Sequence, residues 1–128
     1  MSKTDYQKIT LEDKEPLVKE RHRMTAILEN VYRRIAEEKY DFTETDFSKQ
    51  YLGKCGTYFA YLKSTGKDVS VDALLKLWGR LNIEHQTCAS AISRTDRAFN
   101  KQMLTEWAEL YSELSNDVFT ELCERAYN

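Results

Sequence analysis

From Ile83 to its end the chain contains neither glycine nor proline. Nothing in that stretch breaks a helix, and its apolar residues take helical spacing. Ile92, Phe99, Met103, Trp107, Leu110, Leu114 and Val118 recur at threes, fours and one seven. With the seven counted as two steps, the mean is about 3.7 residues. That is the period of a straight amphipathic helix rather than of a left-handed coiled coil, whose repeat is nearer to about 3.5. A helix of more than about 25 residues is uncommon in a small domain, so one break is expected, at Ser93–Asp96 or at Ser115–Asp117.

Upstream the same scarcity of breakers holds. The 128 residues carry one proline and four glycines, and three of those glycines, Gly53, Gly56 and Gly66, crowd into one short span. The expectation is an all-α, single-domain protein of five or six helices. Residues 1–9 read as a loose polar tail and 10–128 as the helical domain. A first long helix starts between Thr10, with Asp13 as its capping partner, and Pro16. Leu17, Met24, Leu28, Val31 and Ile35 form its apolar stripe, flanked by Ile27 and Tyr32. Arg21, Arg23, Arg33 and Arg34 lie off that stripe, and the helix ends near Tyr40.

Thr43 and Asp46 make a capping-box pattern that opens a short helix to Leu52, burying Phe47 and Tyr51 one turn apart. Gly53 stops it in a left-handed cap position. A second short helix runs from about Gly56 to Ser64, with Phe59 and Leu62 inward and Thr57, Ala60, Tyr61 and Ser64 outward. Gly66 is the second stop. Ser70 caps a further helix, whose buried stripe is Leu74, Leu77, Trp78 and Leu81.

Two short helices joined by a glycine-containing turn describe a helix-turn-helix. Residues 43–82 are therefore a helix-turn-helix-like centre between a long N-terminal helix and a long helical C-terminal part, 83–128. Within it, Phe47, Ser48, Gly53, Thr57, Tyr58, Phe59, Leu62, Gly66, Ser70, Leu74, Leu75, Leu77 and Leu81 resemble the phage-repressor-like, Cro-type helix-turn-helix, over less than a third of the chain. The span from Phe47 to Gly53 is one residue longer than the usual pattern. In that family the second helix of the pair lies in the major groove of DNA. The resemblance implies that Cys55, Gly56, Thr57, Ala60, Tyr61 and Lys63 stand at or near double-stranded DNA. The string YLGKCGTYFAYLKSTGK also resembles a small, uncharacterised group of bacterial proteins.

Charge bears on that implication. The chain is close to neutral, with 19 basic and 21 acidic residues, which argues against a tail that coats nucleic acid. Residues 43–82 hold six basic and four acidic residues, a net of +2, whereas 83–128 hold four and eight, a net of −4. Lys49, Lys54, Lys63 and Lys67 lie near the turn as candidate phosphate contacts. Thr57 and Tyr61 would touch base edges or methyl groups, with Ser64 beside them. Four phosphate contacts imply a salt slope of only about −3.6, so tight binding calls for a homodimer or for extra arms, to which the arginine pairs of the first helix could add. The reading helix holds no Arg, Asn or Gln, the side chains best suited to bidentate base contact. The acidic, amphipathic C-terminal stretch reads as a dimerisation or partner-binding helix with Trp107, Tyr111 and Leu114 as anchors.

Other classes find little footing. Cys55, Cys88 and Cys123 are far apart and His22 and His85 isolated, so free thiols in a reducing cytoplasm are expected, with no zinc site, metal or cofactor. No apolar run approaches a membrane span, and MSKTDYQKIT lacks the apolar core of a signal peptide. Glu106, Glu109 and Glu113 form a carboxylate row without the Glu-x-x-His of a di-iron bundle, Glu84 and His85 are adjacent rather than spaced for a shared site, and no nucleotide or nucleophile motif is present, so no enzyme is expected. The functional expectation is a small, dimeric DNA-binding transcriptional regulator of bacterial or phage type. The alternative is a helical protein–protein interaction module, an adaptor or inhibitor that does not bind DNA.

Overall fold

The computed structural model describes residues 15–127, with side chains from Ala26 onward. The fold is all-α. Helix α1 spans Glu15–Glu38 and α2 spans Glu44–Asp46, running directly into a π-helical turn, Phe47–Tyr51. Helix α3 is Tyr58–Thr65, α4 is Val71–Ile92 and α5 is Ala98–Tyr127. Pro16 falls at the second position of α1. The tail 1–9, the cap at Thr10 and Asp13, and the side chains of Leu17, Arg21, Arg23 and Met24 lie outside the described residues.

The central unit is built on aromatic rings. Phe47 is fully buried and its ring lies 5.2 Å from Phe59, 5.6 Å from Tyr32, 5.9 Å from Tyr51 and 6.4 Å from Phe42. These five rings come from α1, the turn after it, the π turn and α3, so one cluster joins four segments. Offset and edge-on pairs of this kind each contribute about 0.5–1.5 kcal/mol beyond the area they bury.

The short helix expected to run from Thr43 to Leu52 begins as the sequence implies. The Thr43 hydroxyl accepts from the Asp46 N–H and the Asp46 carboxylate accepts from the Thr43 N–H, both at 3.1 Å, closing the capping box. It then widens instead of continuing as α-helix. The Leu52 N–H donates to the Phe47 carbonyl at 3.1 Å, a bond spanning five residues. A wider turn brings the residue five positions on to the same side, so Phe47, Tyr51 and Leu52 all point inward and all are buried. The π turn takes up one more residue between Phe47 and Gly53 than an α-helical turn would need.

Gly53 closes this turn at φ +64°, and the Lys54 N–H reaches back to the Ser48 carbonyl at 2.9 Å. The positive φ demands glycine at Gly53, and the Lys76 methylenes lie where a β-carbon would stand, so they would have to swing aside for any other residue. Helix α3 starts two residues later than expected. Its second amide, Phe59 N–H, is capped by the buried hydroxyl of Ser48 at 3.0 Å. Gly66 ends it at φ +69°, its N–H bonded to the Leu62 carbonyl. The Ser70 hydroxyl accepts from the Ala73 N–H at 3.1 Å and caps α4.

Helix α4 runs on well past residue 82, so Ile92 belongs to it and not to the last helix. The expected break falls at the first of its two candidate places. Arg94 and Thr95 N–H groups bond to the Ala91 and Ile92 carbonyls, a tightening that ends α4 without glycine. At the second place, Ser115–Asp117, α5 is unbroken; Ser115 is buried and donates its hydroxyl to the Asn82 side chain at 3.1 Å. Helices α4 and α5 form an antiparallel hairpin. Trp78 stacks on Phe119 at 5.6 Å, and His85 Nδ1 donates to the Ala108 carbonyl at 2.9 Å. Leu74, Leu77 and Leu81 are buried along this contact, whereas Trp78 is half-buried.

Replacing Phe47 by alanine removes the common partner of four rings, and a loss of about 3–5 kcal/mol in urea unfolding is expected. Gly53→Ala is expected to cost at least about 1–2 kcal/mol in the same assay, because an L-residue is strained in the left-handed region and Lys76 must also move.

Candidate functional site

Two surfaces bear on function: the outer side of the α2–α3 unit and the free end of the α4–α5 hairpin.

On the first, α3 presents Thr57, Ala60, Tyr61 and Ser64 to solvent, and Phe59 and Leu62 anchor its other side. It is neither merged with α2 nor covered by α5. The lysines around it are less available than their spacing implies. Lys54 Nζ pairs with Asp72 at 3.1 Å, and Lys76 reaches the same carboxylate at 3.3 Å. These two ammonium groups hold the Asp72 carboxyl below the usual carboxylate range. Lys63 pairs with Glu44 and lies 4.8 Å from the Phe59 ring centre. Lys67 sits over Tyr61 at 5.7 Å. Lys49 and Lys67 alone of the four candidates form no ion pair among the described residues. The Ser64 hydroxyl donates to the Tyr61 carbonyl at 3.2 Å, and the Thr57 hydroxyl lies 3.5 Å from Cys55 Sγ. Hydrogen bonding to Thr57 pulls the exposed Cys55 thiol below its ordinary range. Two arginines of α1 are engaged too: Arg33 with Asn30 at 2.8 Å and Glu37 at 3.3 Å, and Arg34 with Glu113 at 3.4 Å.

A polar cluster ties this unit to the hairpin. Lys39 Nζ donates to the Tyr51 hydroxyl at 3.0 Å and lies 3.5 Å from Glu84. The Arg80 guanidinium sits 5.1 Å from the Tyr51 ring centre and 3.4 Å from Glu84. Burial opposes the charge on Lys39, but Tyr51 and Glu84 more than offset it and hold its ionisation above the usual lysine range. Tyr111 is buried beside them, and that burial pushes its phenol up. Cys88 is raised by burial and by Glu84.

Placement of the three expected anchors on the last helix differs from the sequence reading. Tyr111 and Leu114 belong to this chain's own core, and only Trp107, half-buried, reaches the surface. The surface that remains lies nearer the start of α5. Phe99, Met103, Leu110 and Leu114 share one helical face. Helix α1 packs along its lower part in antiparallel sense, and there Leu110 and Leu114 are 9% and 0% exposed. Helix α1 ends at Glu38, four residues beyond the Arg34–Glu113 contact. Above that point, among the described residues, the same face has no third helix: Met103 is 43% exposed and Phe99 72%. Cys88 and Ile92 of α4 are half-buried at the same end of the hairpin. Glu106 and Glu109 continue the line of Glu113 along one flank, exposed and without an ion-pair partner among the described residues.

The π turn and the capping of α3 by the Ser48 hydroxyl escaped the sequence reading. The one available signal was the surplus residue between Phe47 and Gly53. Among the described residues no group of three or more His, Cys, Asp or Glu side chains is placed to hold a metal, and no helix is long and apolar enough to cross a membrane.

The chain matches no curated protein and no solved structure. A family match extends over residues 28–127, from the middle of α1 to the end of α5, and so takes in both the aromatic unit and the hairpin. The chain belongs to this family, described as a family of unknown function, DUF6626.

Proposed function

We propose that this protein is a helical protein–protein interaction module without catalytic activity, and that its contact surface is the free end of the α4–α5 hairpin. One observation carries the reading. The face of α5 that α1 shelters at Leu110 and Leu114 continues past the end of α1 through Trp107, Met103 and Phe99, with Phe99 left 72% exposed. Burying a large apolar side chain is worth about 1.5–3 kcal/mol, so this stripe favours a partner. The partner's chemistry follows from the neighbouring seat. There α1 lays down Leu28, Val31 and Ile35 and sets Arg34 against Glu113. The open stretch is likewise apolar and is flanked by Glu106 and Glu109, which suits an amphipathic helix with Arg or Lys on one flank.

The test uses a labelled peptide of residues 26–40, which carries that chemistry, titrated with the full chain. Binding on the order of 10–100 µM is expected, weakened at least about tenfold by Met103→Glu with the far-UV spectrum unchanged. No binding, or binding indifferent to Met103→Glu, counts against the reading.

A second reading, DNA binding through a Cro-type helix-turn-helix, is favoured by the open outer side of α3. Against it stand the carboxylates on Lys54 and Lys63 and the lack of Arg, Asn or Gln on that helix. With Lys49 and Lys67 as the unpaired cations, the salt slope would be no steeper than about −1.8 per chain. Anisotropy with mixed-sequence duplex at low salt decides. The interaction reading expects no salt-sensitive binding at tens of micromolar, and binding there that weakens as salt rises would restore the DNA reading.

A further inference from the structure

We infer that the occupant of the hairpin end is a second copy of this chain, the two α5 helices running antiparallel about Met103. The inference rests on the reading above and names the partner of that surface.

Register is the first argument. A two-fold contact uses the same patch on both copies, so the patch must complement itself. Phe99 and Trp107 lie four residues on either side of Met103. Antiparallel pairing about Met103 brings Phe99 of each copy to the level of Trp107 of the other. The most exposed ring of the stripe thus meets the one that its own chain half covers.

Charge is the second. Residues 93–101 hold Arg94, Arg97 and Lys101 against Asp96, a net of +2, while 105–113 hold Glu106, Glu109 and Glu113, a net of −3. Antiparallel pairing about Met103 lays each basic segment lengthwise along the other copy's acidic one. Parallel pairing would set like on like. Such segments interact within the Debye length of about 10 Å at 0.1 M salt.

Continuity is the third. Pairing two hairpin ends yields a four-helix arrangement, and it extends beyond Glu38 the same kind of contact that α1 makes along α5. The stretch from Arg97 to Glu113 is about 24 Å long, at about 1.5 Å per residue. An interface of that length is small, which sets the association in the micromolar range, on the order of 10 µM.

Sedimentation equilibrium of the full chain from about 5 to about 500 µM tests this against that expected dissociation constant. A monomer–dimer equilibrium is expected, weakened at least about tenfold by Met103→Glu. Raising the salt from about 0.05 to about 0.5 M is expected to weaken it severalfold, since the attraction between the oppositely charged segments is screened. Circular dichroism confirms that the variant is folded. A chain monomeric throughout, a dimer indifferent to Met103→Glu, or a dimer that salt strengthens overturns the arrangement. If the chain is monomeric yet binds the 26–40 peptide in a Met103-dependent way, the second copy fails and the interaction surface stands. If it neither pairs nor binds the peptide, both fail.

Discussion

The packing of Phe47 against four other rings is the constraint on which the rest depends. It fixes α1, the turn after α1, the π turn and α3 relative to one another, although α2 is a single turn and α3 only eight residues long. Neither short helix would persist alone in water. Their stability is that of the ring cluster, supplemented by the Ser48 cap and the closing glycines. The polar bridge from Lys39 through Tyr51 to Glu84 and Arg80 then couples the unit to the hairpin, so the position of α3 is referred to α4.

Much of this was legible in the residues. Leu28, Val31 and Ile35 carry the period of a helix with one buried side, and they are buried. Thr43 with Asp46, Gly53, Gly66 and Ser70 are local signals whose chemistry acts within a few residues, and each does what its type implies. The π turn was not legible because its cause is not local. Leu52 points inward to fill space against distant segments, and only the surplus length hinted at it. The break at Ser93–Arg97 had two equal candidates on composition; what separates them is that Ser115 finds a buried partner in Asn82 and Ser93 does not.

The surfaces were harder. Exposed lysines and exposed carboxylates look independent in a sequence, but the turn brings Asp72 to Lys54 and Glu44 to Lys63. Tyr111 and Leu114 share their period with Phe99 and Met103, so periodicity cannot tell which end of a stripe is sheltered. That depends on where α1 stops, which is a matter of length and not of pattern.

Helix α5 is therefore two materials in one rod. Below Leu110 it is wedged into a three-helix layer; above it the rod leans on α4 alone. All five rings of the central cluster come from outside the hairpin, and the links between the two include Cys88 and Trp107, which pack against the common core, and the Lys39–Glu84 pair. A second copy seated at that end would give α5 along its upper half the kind of cover that α1 gives its lower half, closing over the Phe99 and Met103 side chains that the chain by itself leaves exposed.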